Sequence, residues 1–579
     1  MRVGLKRFSF CVVIGVGLVL FAGCASSPRS DGVVATSDVL KSEAPELVLP
    51  NVELTADLLN KALLAEVAVQ RAQYDIAVKL YRDLAVETRD PRLAEHATRV
   101  ALFARNMAIA KETGKIWLEL DPANLDVRQI MAALYVKNGE FDNALELLEG
   151  LLEESALGEQ DRYMLILRLL GREQDKEGAR ALMEKFLERH PDDVAGLYAY
   201  AQLALRDGKI EAADKTSVHL LEIKPDWSSA VVLRTRILQA TNRGDEALEY
   251  LRSVVKRKGS DDELRAALGR MLLDVGEYKE AQTHFERILK NSPDKVDILF
   301  LAAGVASQLK DFKRAKTHFL HLNQLGERQD ESAFFLGDIE EREGNFEEAI
   351  RWYDKVRGGN NYLDARGRSA LLMARLGDLE GARAHLSAVV PRNDVQRLKL
   401  YLIEGELLRE MKHYDEAFEL YTQGLKALPG KSPLLYARAM VADVLNRLDV
   451  LEQDLMAILE RQPDHVEALN ALGYVLADRT DRYEEAEGYI KRALSLRPEA
   501  AHILDSYGWV KYRQGQLVEA ETYLRRALER NFDPEIAAHL GEVLWVKGDR
   551  DAARAVWDEA LKERPENKII MDVRRRLDK

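Results

Sequence analysis

Between residues 262 and 295, apolar or small side chains at Ala266, Leu268, Gly269, Leu272 and Leu273 recur at three- to four-residue steps, which lines one face of a helix. Gly276 interrupts the pattern. It resumes at Tyr278, Ala281, Phe285, Ile288 and Leu289, and Pro293 lies just beyond, where a missing amide and a fixed φ stop a helix. The stretch predicts a helical hairpin in which Gly269 and Ala281 are small at the helix crossing and Phe285 fills the groove beside them. The pattern returns at intervals of about 34 residues. It is marked by Gly139, Phe141 and Ala144; by Gly208, Ala213 and Pro225; by Gly337, Gly344 and Ala349; by Gly405, Tyr414 and Ala417; by Gly473 and Ala486; by Gly508, Gly515 and Ala520; and by Gly541, Gly548 and Ala553.

Leucine and glycine at the seventh and eighth places of the first segment, then glycine, tyrosine, alanine, phenylalanine and proline in order, resemble the 34-residue tetratricopeptide repeat. The resemblance implies an all-α fold, a right-handed superhelical solenoid of about fifteen helical hairpins over residues 52–567. The first repeat has Ala65 and Ala72 where glycines are expected, and the N-terminal half is the more diverged. Two loops leave the period, at residues 357–361 and 389–394. A change of pitch or a break into two arms near 357–394 and ordinary loop drift are both open readings. Residues 568–579 place Ile569, Ile570, Val573 and Leu577 on one helical face and Arg574 to Arg576 largely opposite. An end repeat would otherwise expose an apolar flank, so this segment is expected to be a capping helix; a basic contact with anionic lipid is the alternative.

The first residues follow another pattern. Arg2, Lys6 and Arg7 precede an apolar run from Phe8 to Phe21, too short to span a bilayer and ordered as in a secretion signal. The string Leu20-Phe21-Ala22-Gly23-Cys24 resembles the bacterial lipoprotein box, with Phe21 where leucine is commonest. That resemblance implies removal of residues 1–23, acylation of Cys24, and, with alanine at position 25, delivery to the outer membrane facing the periplasm. One acyl chain holds a protein only marginally, whereas the three of a mature lipoprotein are effectively permanent. Residues 24–51, rich in Ser, Pro, Ala and Asp, bury too little to offset their ordering entropy and read as a tether.

Composition narrows the chemistry. Cys11 leaves with the signal and Cys24 takes the lipid, so the expected mature chain has no disulfide or thiolate site. Losing Arg2, Lys6 and Arg7 shifts the formal charge from −13 to −16, the wrong sign for nucleic acid. No metalloprotease, nucleophile-elbow or phosphate-loop motif occurs, and no enzyme or cofactor is expected beyond the covalent lipid. His318 and His321 share the i, i+3 spacing of paired metal ligands, yet they flank the packing position Phe319, so metal is not expected.

Binding remains. In tetratricopeptide arrays the first helix of each hairpin lines the concave groove. By that resemblance the candidate groove residues are Asn470, Tyr474 and Asp478; His502, Asp505, Trp509, Tyr512 and Arg513; and His539, Glu542 and Trp545. Exposed aromatics are common binding hot spots; packing between adjacent repeats is the competing reading for these. A carboxylate clamp for chaperone tails needs lysines and asparagines, and only Asn470 fits. The layout resembles lipoprotein adaptors that bring substrates such as cell-wall hydrolases to a carboxyl-terminal processing protease. An assembly factor for an outer-membrane complex, a secretin pilotin or a part of outer-membrane protein insertion, is the alternative.

Overall fold

The computed structural model describes residues 49–154, 166, 176–259 and 261–577. The signal segment, Cys24, most of the tether and the first half of the expected repeat at 161–193 lie outside the described residues. Among the described residues the fold is all-α, thirty helices and no strand. Helices alternate with short turns, and successive helices pack against each other as hairpins. Residues 27–315 and 316–579 form two compact units.

In the first unit, hairpins such as Asp262–Asp274 with Tyr278–Asn291 realise the expected pattern. Gly276 takes φ +78° in the turn, and a Cβ at Gly269 would stand 2.5 Å from Phe285 Cε1, so only glycine lets the ring lie across the helix. The first repeat keeps the geometry without glycine: Ala65 is fully buried, and Ala72 carries φ +55° in the turn. A left-handed residue with a Cβ is strained, so the tertiary packing of the helices Ala56–Gln70 and Tyr74–Thr88 holds the turn in place. The diverged repeat that follows is anchored by Trp117, which is buried.

The second unit runs, from Gln329, through seven hairpins to a terminal helix. Four of its crossings share one spacing: sixteen residues after the small residue comes the side chain that covers it, Tyr353 over Gly337, Tyr421 over Gly405, Leu524 over Gly508 and Trp557 over Gly541, while Gly473 is covered by Ile490 and the Ala486 main chain. Tyr353, Tyr421 and Trp557 are fully buried or nearly so. Around the two aperiodic loops the second helices shorten to nine residues, Phe346–Asp354 and Leu379–Ser387, and the first helix Asp394–Glu410 lengthens to seventeen. The apolar core breaks there into small clusters, one about Tyr353 and one about Leu386 and Leu407. The terminal helix Lys568–Leu577 buries Ile570 and packs Ile569, Val573 and Leu577 against the last hairpin. Its arginines are engaged: Arg574 with Asp558 at 2.7 Å, and Arg576 with Glu542.

Ion pairs join neighbouring repeats along the surface, for example Arg252 with Glu280 at 2.7 Å and Arg492 with Asp464 at 2.7 Å. Exposed pairs of this kind contribute about 0–1 kcal/mol each, so the crossings and not the charges set the stacking. Among the described residues no helix is long and apolar enough to cross a membrane.

The crossings are directly testable. A Cβ at Gly473 would meet the main-chain oxygen of Ala486 at 2.8 Å, whereas one at Gly488, on the facing helix Tyr483–Leu496, meets nothing within 4 Å. Gly473→Ala is expected to cost about 1–3 kcal/mol by overpacking. Gly488→Ala should add about 0.5–1 kcal/mol from helix propensity. Urea unfolding followed by helical circular dichroism reads both, and equal effects would refute the close crossing.

Candidate functional site

Three first helices near the C-terminus carry the candidate residues: Val466–Arg479, Ala501–Arg513 and Pro534–Lys547. Each is pressed against its own second helix through Gly473, Gly508 or Gly541, which turns another stripe of each helix toward its neighbouring first helices. Asn470, Tyr474 and Asp478 share one stripe at i, i+4 and i+8, and Asp505, Trp509 and Arg513 repeat it one hairpin later. The third helix opens with Pro534 in its first turn, and Asp533 caps it by accepting from the Glu535 amide at 2.8 Å.

The structure brings most of these side chains together. His539 and Asp505 share a 2.8 Å hydrogen bond in which the imidazole Nδ1–H donates to the carboxylate; Asp505 is fully buried. The Trp509 ring stacks on His539 with centroids 4.2 Å apart, and the Tyr512 ring lies tilted 5.0 Å from that of Trp509. The Trp509 indole N–H donates to Asp478 Oδ1 at 3.3 Å, and Arg513 donates to the Asp478 main-chain oxygen at 2.8 Å. Tyr474 reaches across two repeats, its ring 6.3 Å from that of His539. Tyr512 donates to Glu542 at 3.2 Å, and burial beside that carboxylate pushes its phenol up to about 12. Trp545 stands apart, half-buried on Trp557 at 5.8 Å with Arg550 and Arg554 over its ring.

The aromatics thus lie on the first helices of their hairpins and are packed: Trp509 is only 8 % exposed. The ring that covers His539 also links successive hairpins, as packing between adjacent repeats requires.

Two residues of the cluster escaped the repeat pattern. Asp443, on the preceding first helix Ser432–Val444, and Glu535 each act on Tyr474 together with Asp478 and Asp505. Four successive first helices therefore each present one carboxylate to a single phenol. Burial first, then these four charges, hold the Tyr474 hydroxyl well above its ordinary value. Asp443 is 3 % exposed, and Arg479 Nη2 approaches its Oδ1 only to 3.7 Å. Burial lifts its carboxyl to about 6; Asp478 adds to the rise and Arg479 opposes it. Asp443 was within reach of the repeat ruler, at the twelfth place of a repeat begun at Ser432, had it been laid one hairpin earlier. Glu535 stands at the second place of the repeat begun at Pro534, the place His502 takes in the repeat begun at Ala501.

His318 and His321 lie on the helix Phe312–Gln324 beside Phe319, which is buried and stacks on Phe335 at 5.3 Å. Among the described residues no group of three or more His, Cys, Asp or Glu side chains is placed to hold a metal ion.

The tetratricopeptide-repeat models match residues 129–163, 163–213, 266–322, 436–501 and 507–568. Over 493 residues the chain is 34 % identical to the TPR repeat-containing protein PA4667 of Pseudomonas aeruginosa, covering 84 % of this chain and 82 % of that one. The chain belongs to the tetratricopeptide-repeat family. Its similarity to protein HemY of Escherichia coli is 26 % over 258 residues, 42 % of this tetratricopeptide-repeat chain and 63 % of HemY. Among solved structures, yeast Tom70 is 16 % identical over 72 % of this chain and 96 % of that one, with a TM-score of 0.36. Repeat folds of this family are generally non-catalytic scaffolds that bind other proteins.

Asp443 gives the site a pH signature. Its neutral form is favoured in the folded chain, so ionisation removes stability as pH rises from the ordinary carboxylate value of 3.8 through about 6. Asp443→Asn is therefore expected to match the parent near pH 4 and to exceed it by on the order of 2 kcal/mol at pH 7.5 in urea unfolding. A difference independent of pH would contradict the assignment.

Proposed function

We propose that this tetratricopeptide-repeat chain is a lipid-anchored scaffold at the periplasmic face of the outer membrane, binding proteins through the first helices of its last hairpins. The observation that carries the reading is the convergence of Tyr474, Asp505, Trp509 and His539 with carboxylates from four successive first helices. Stacking of hairpins needs apolar contact and the glycine crossings; it does not need buried acids, which cost stability unless paired. Residues retained at that cost serve recognition.

Anchorage rests on the lipoprotein-like Cys24 and the tether that follows it. Within this reading the scaffold is an adaptor that brings cell-wall hydrolases to a carboxyl-terminal processing protease. Its support is the order of a lipoprotein-box-like cysteine, a leader rich in Ser, Pro, Ala and Asp, and a long repeat body. Degradation would then depend on holding protease and substrate together, a gain in effective concentration and not a chemical step by the scaffold.

Two measurements test the parts separately. Labelling with a palmitate analogue should mark the parent and not Cys24→Ala, and label retained on the variant would rule out acylation there. Tagged full-length chain, recovered from the bacterium that carries it, is expected to bring down a periplasmic processing protease with peptidoglycan hydrolases, identified by mass spectrometry. Recovery of a secretin or an insertion-complex subunit in their place would overturn the adaptor reading. Trp509→Ala should reduce the capture at least fivefold.

A further inference from the structure

Between the two aperiodic loops, one arginine joins successive hairpins. Where the helix Phe346–Asp354 stops short, Arg366 of the next first helix, Tyr362–Arg375, reaches its end: Arg366 Nη2 donates to the main-chain oxygens of Asp354 at 3.1 Å and Val356 at 3.2 Å. The last carbonyls of a helix lack partners within it, and a guanidinium brings both donors and the positive charge that the negative end of the helix dipole favours. The loop that follows is tied down from another side, because the Arg357 amide donates to Asp330 at 2.8 Å.

His385, on the second shortened helix Leu379–Ser387, sits on that arginine. Arg366 Nη1 stands 3.3 Å from His385 Nε2, and a guanidinium can only donate, so Nε2 accepts and the ring in this arrangement is neutral. Asp354 Oδ1 lies 3.5 Å from each of them and accepts from the Ser369 hydroxyl at 2.9 Å. The His385 and Arg366 side chains are 15 % and 17 % exposed, so water screens the contact poorly. Neighbouring charges are turned elsewhere: Arg383 to Glu404 at 3.4 Å and Glu416 at 2.8 Å, and Asp364 to Lys399 at 2.7 Å. Burial, with Arg366 adding to it and Asp354 opposing, holds the imidazole below its ordinary value of 6.5. A proton on Nε2 would remove the acceptor that Arg366 uses and set two cations on one carboxylate. We propose that His385 is a pH-sensitive latch on the joint between the hairpins 329–354 and 362–387: neutral, it holds Arg366 across the joint, and protonated, it takes Asp354 and frees the end of Phe346–Asp354 with the loop at 355–361. The folded chain favours the neutral ring, so the latch is fully closed above pH 6.5 and is lost as the pH falls below it, the opposite direction to Asp443.

The test is hydrogen exchange of the full-length chain in dodecyl maltoside micelles, read by mass spectrometry at pH 7.5 and pH 5.5 with the intrinsic pH dependence of exchange divided out. Peptides covering residues 354–362 report the joint, and the helix Leu125–Lys137, which carries no histidine, is the reference. In the parent, protection of the joint is expected to fall roughly fivefold or more between the two pH values while the reference stays constant. His385→Gln, whose carboxamide oxygen can accept from Arg366 at either pH, should protect the joint equally at both. Arg366→Gln leaves His385 facing Asp354 alone, so its joint is expected to tighten as the pH falls, the reverse of the parent. The two variants are read independently, so that one failing to fold leaves the other to decide. Parent protection that does not change with pH overturns the proposal, as does a His385→Gln joint that loosens with the parent or an Arg366→Gln joint that responds with the parent's sign.

Discussion

The hairpins built on Gly269, Gly337, Gly405, Gly473, Gly508 and Gly541 depend on a helix crossing that has no room for a side chain on one of its two helices. Where Gly269, Gly337, Gly405, Gly508 or Gly541 meets the residue sixteen places later, even one methyl group would overlap a ring or a branched side chain. That constraint fixes how each first helix is rotated, because only one stripe of it bears the glycine. With the rotation fixed, a different stripe must face the neighbouring first helices. Chemistry in this molecule is thus a consequence of backbone approach: Gly473, Gly508 and Gly541 are what aim Tyr474, Asp505 and His539 into one cluster.

The two stripes are held to different standards. The crossing stripe is apolar and closely packed, and its burial drives folding repeat by repeat. The cluster stripe mixes rings with acids, leaves the Asn470 oxygen without a donor among the described residues, and raises the Asp443 carboxyl to about 6. A sequence under selection for stacking alone would place leucine or alanine there, as it does at Leu472, Leu476 and Ala477 in the same helix.

Much of this was legible in the chain. The period, the Gly276 turn and the Gly269 crossing with Phe285 follow from residue size and backbone freedom, and Ala65 and Ala72 show the same geometry surviving without glycine. The departures at residues 357–361 and 389–394 mark real changes, two shortened second helices and a long first helix. Place in the repeat also singled out the stripe whose side chains meet one another in the structure. What the sequence hid was convergence: the bond of His539 to Asp505, the reach of Tyr474 to the second hairpin beyond, and the parts played by Asp443 and Glu535 depend on how side chains from separate repeats meet. The burial of Trp509 was hidden for the same reason, since a repeat position says which way a side chain faces and not what covers it.

The central claim is that the polar stripe serves binding at the expense of stacking, and Asn470 tests it most directly because its oxygen has no partner to lose. Asn470→Leu should raise the free energy of urea unfolding of the full-length chain by about 1 kcal/mol, as removal of an unsatisfied buried acceptor requires. A loss of similar size would contradict the account, showing that Asn470 supports the stack and that the stripe is part of the scaffold's own framework.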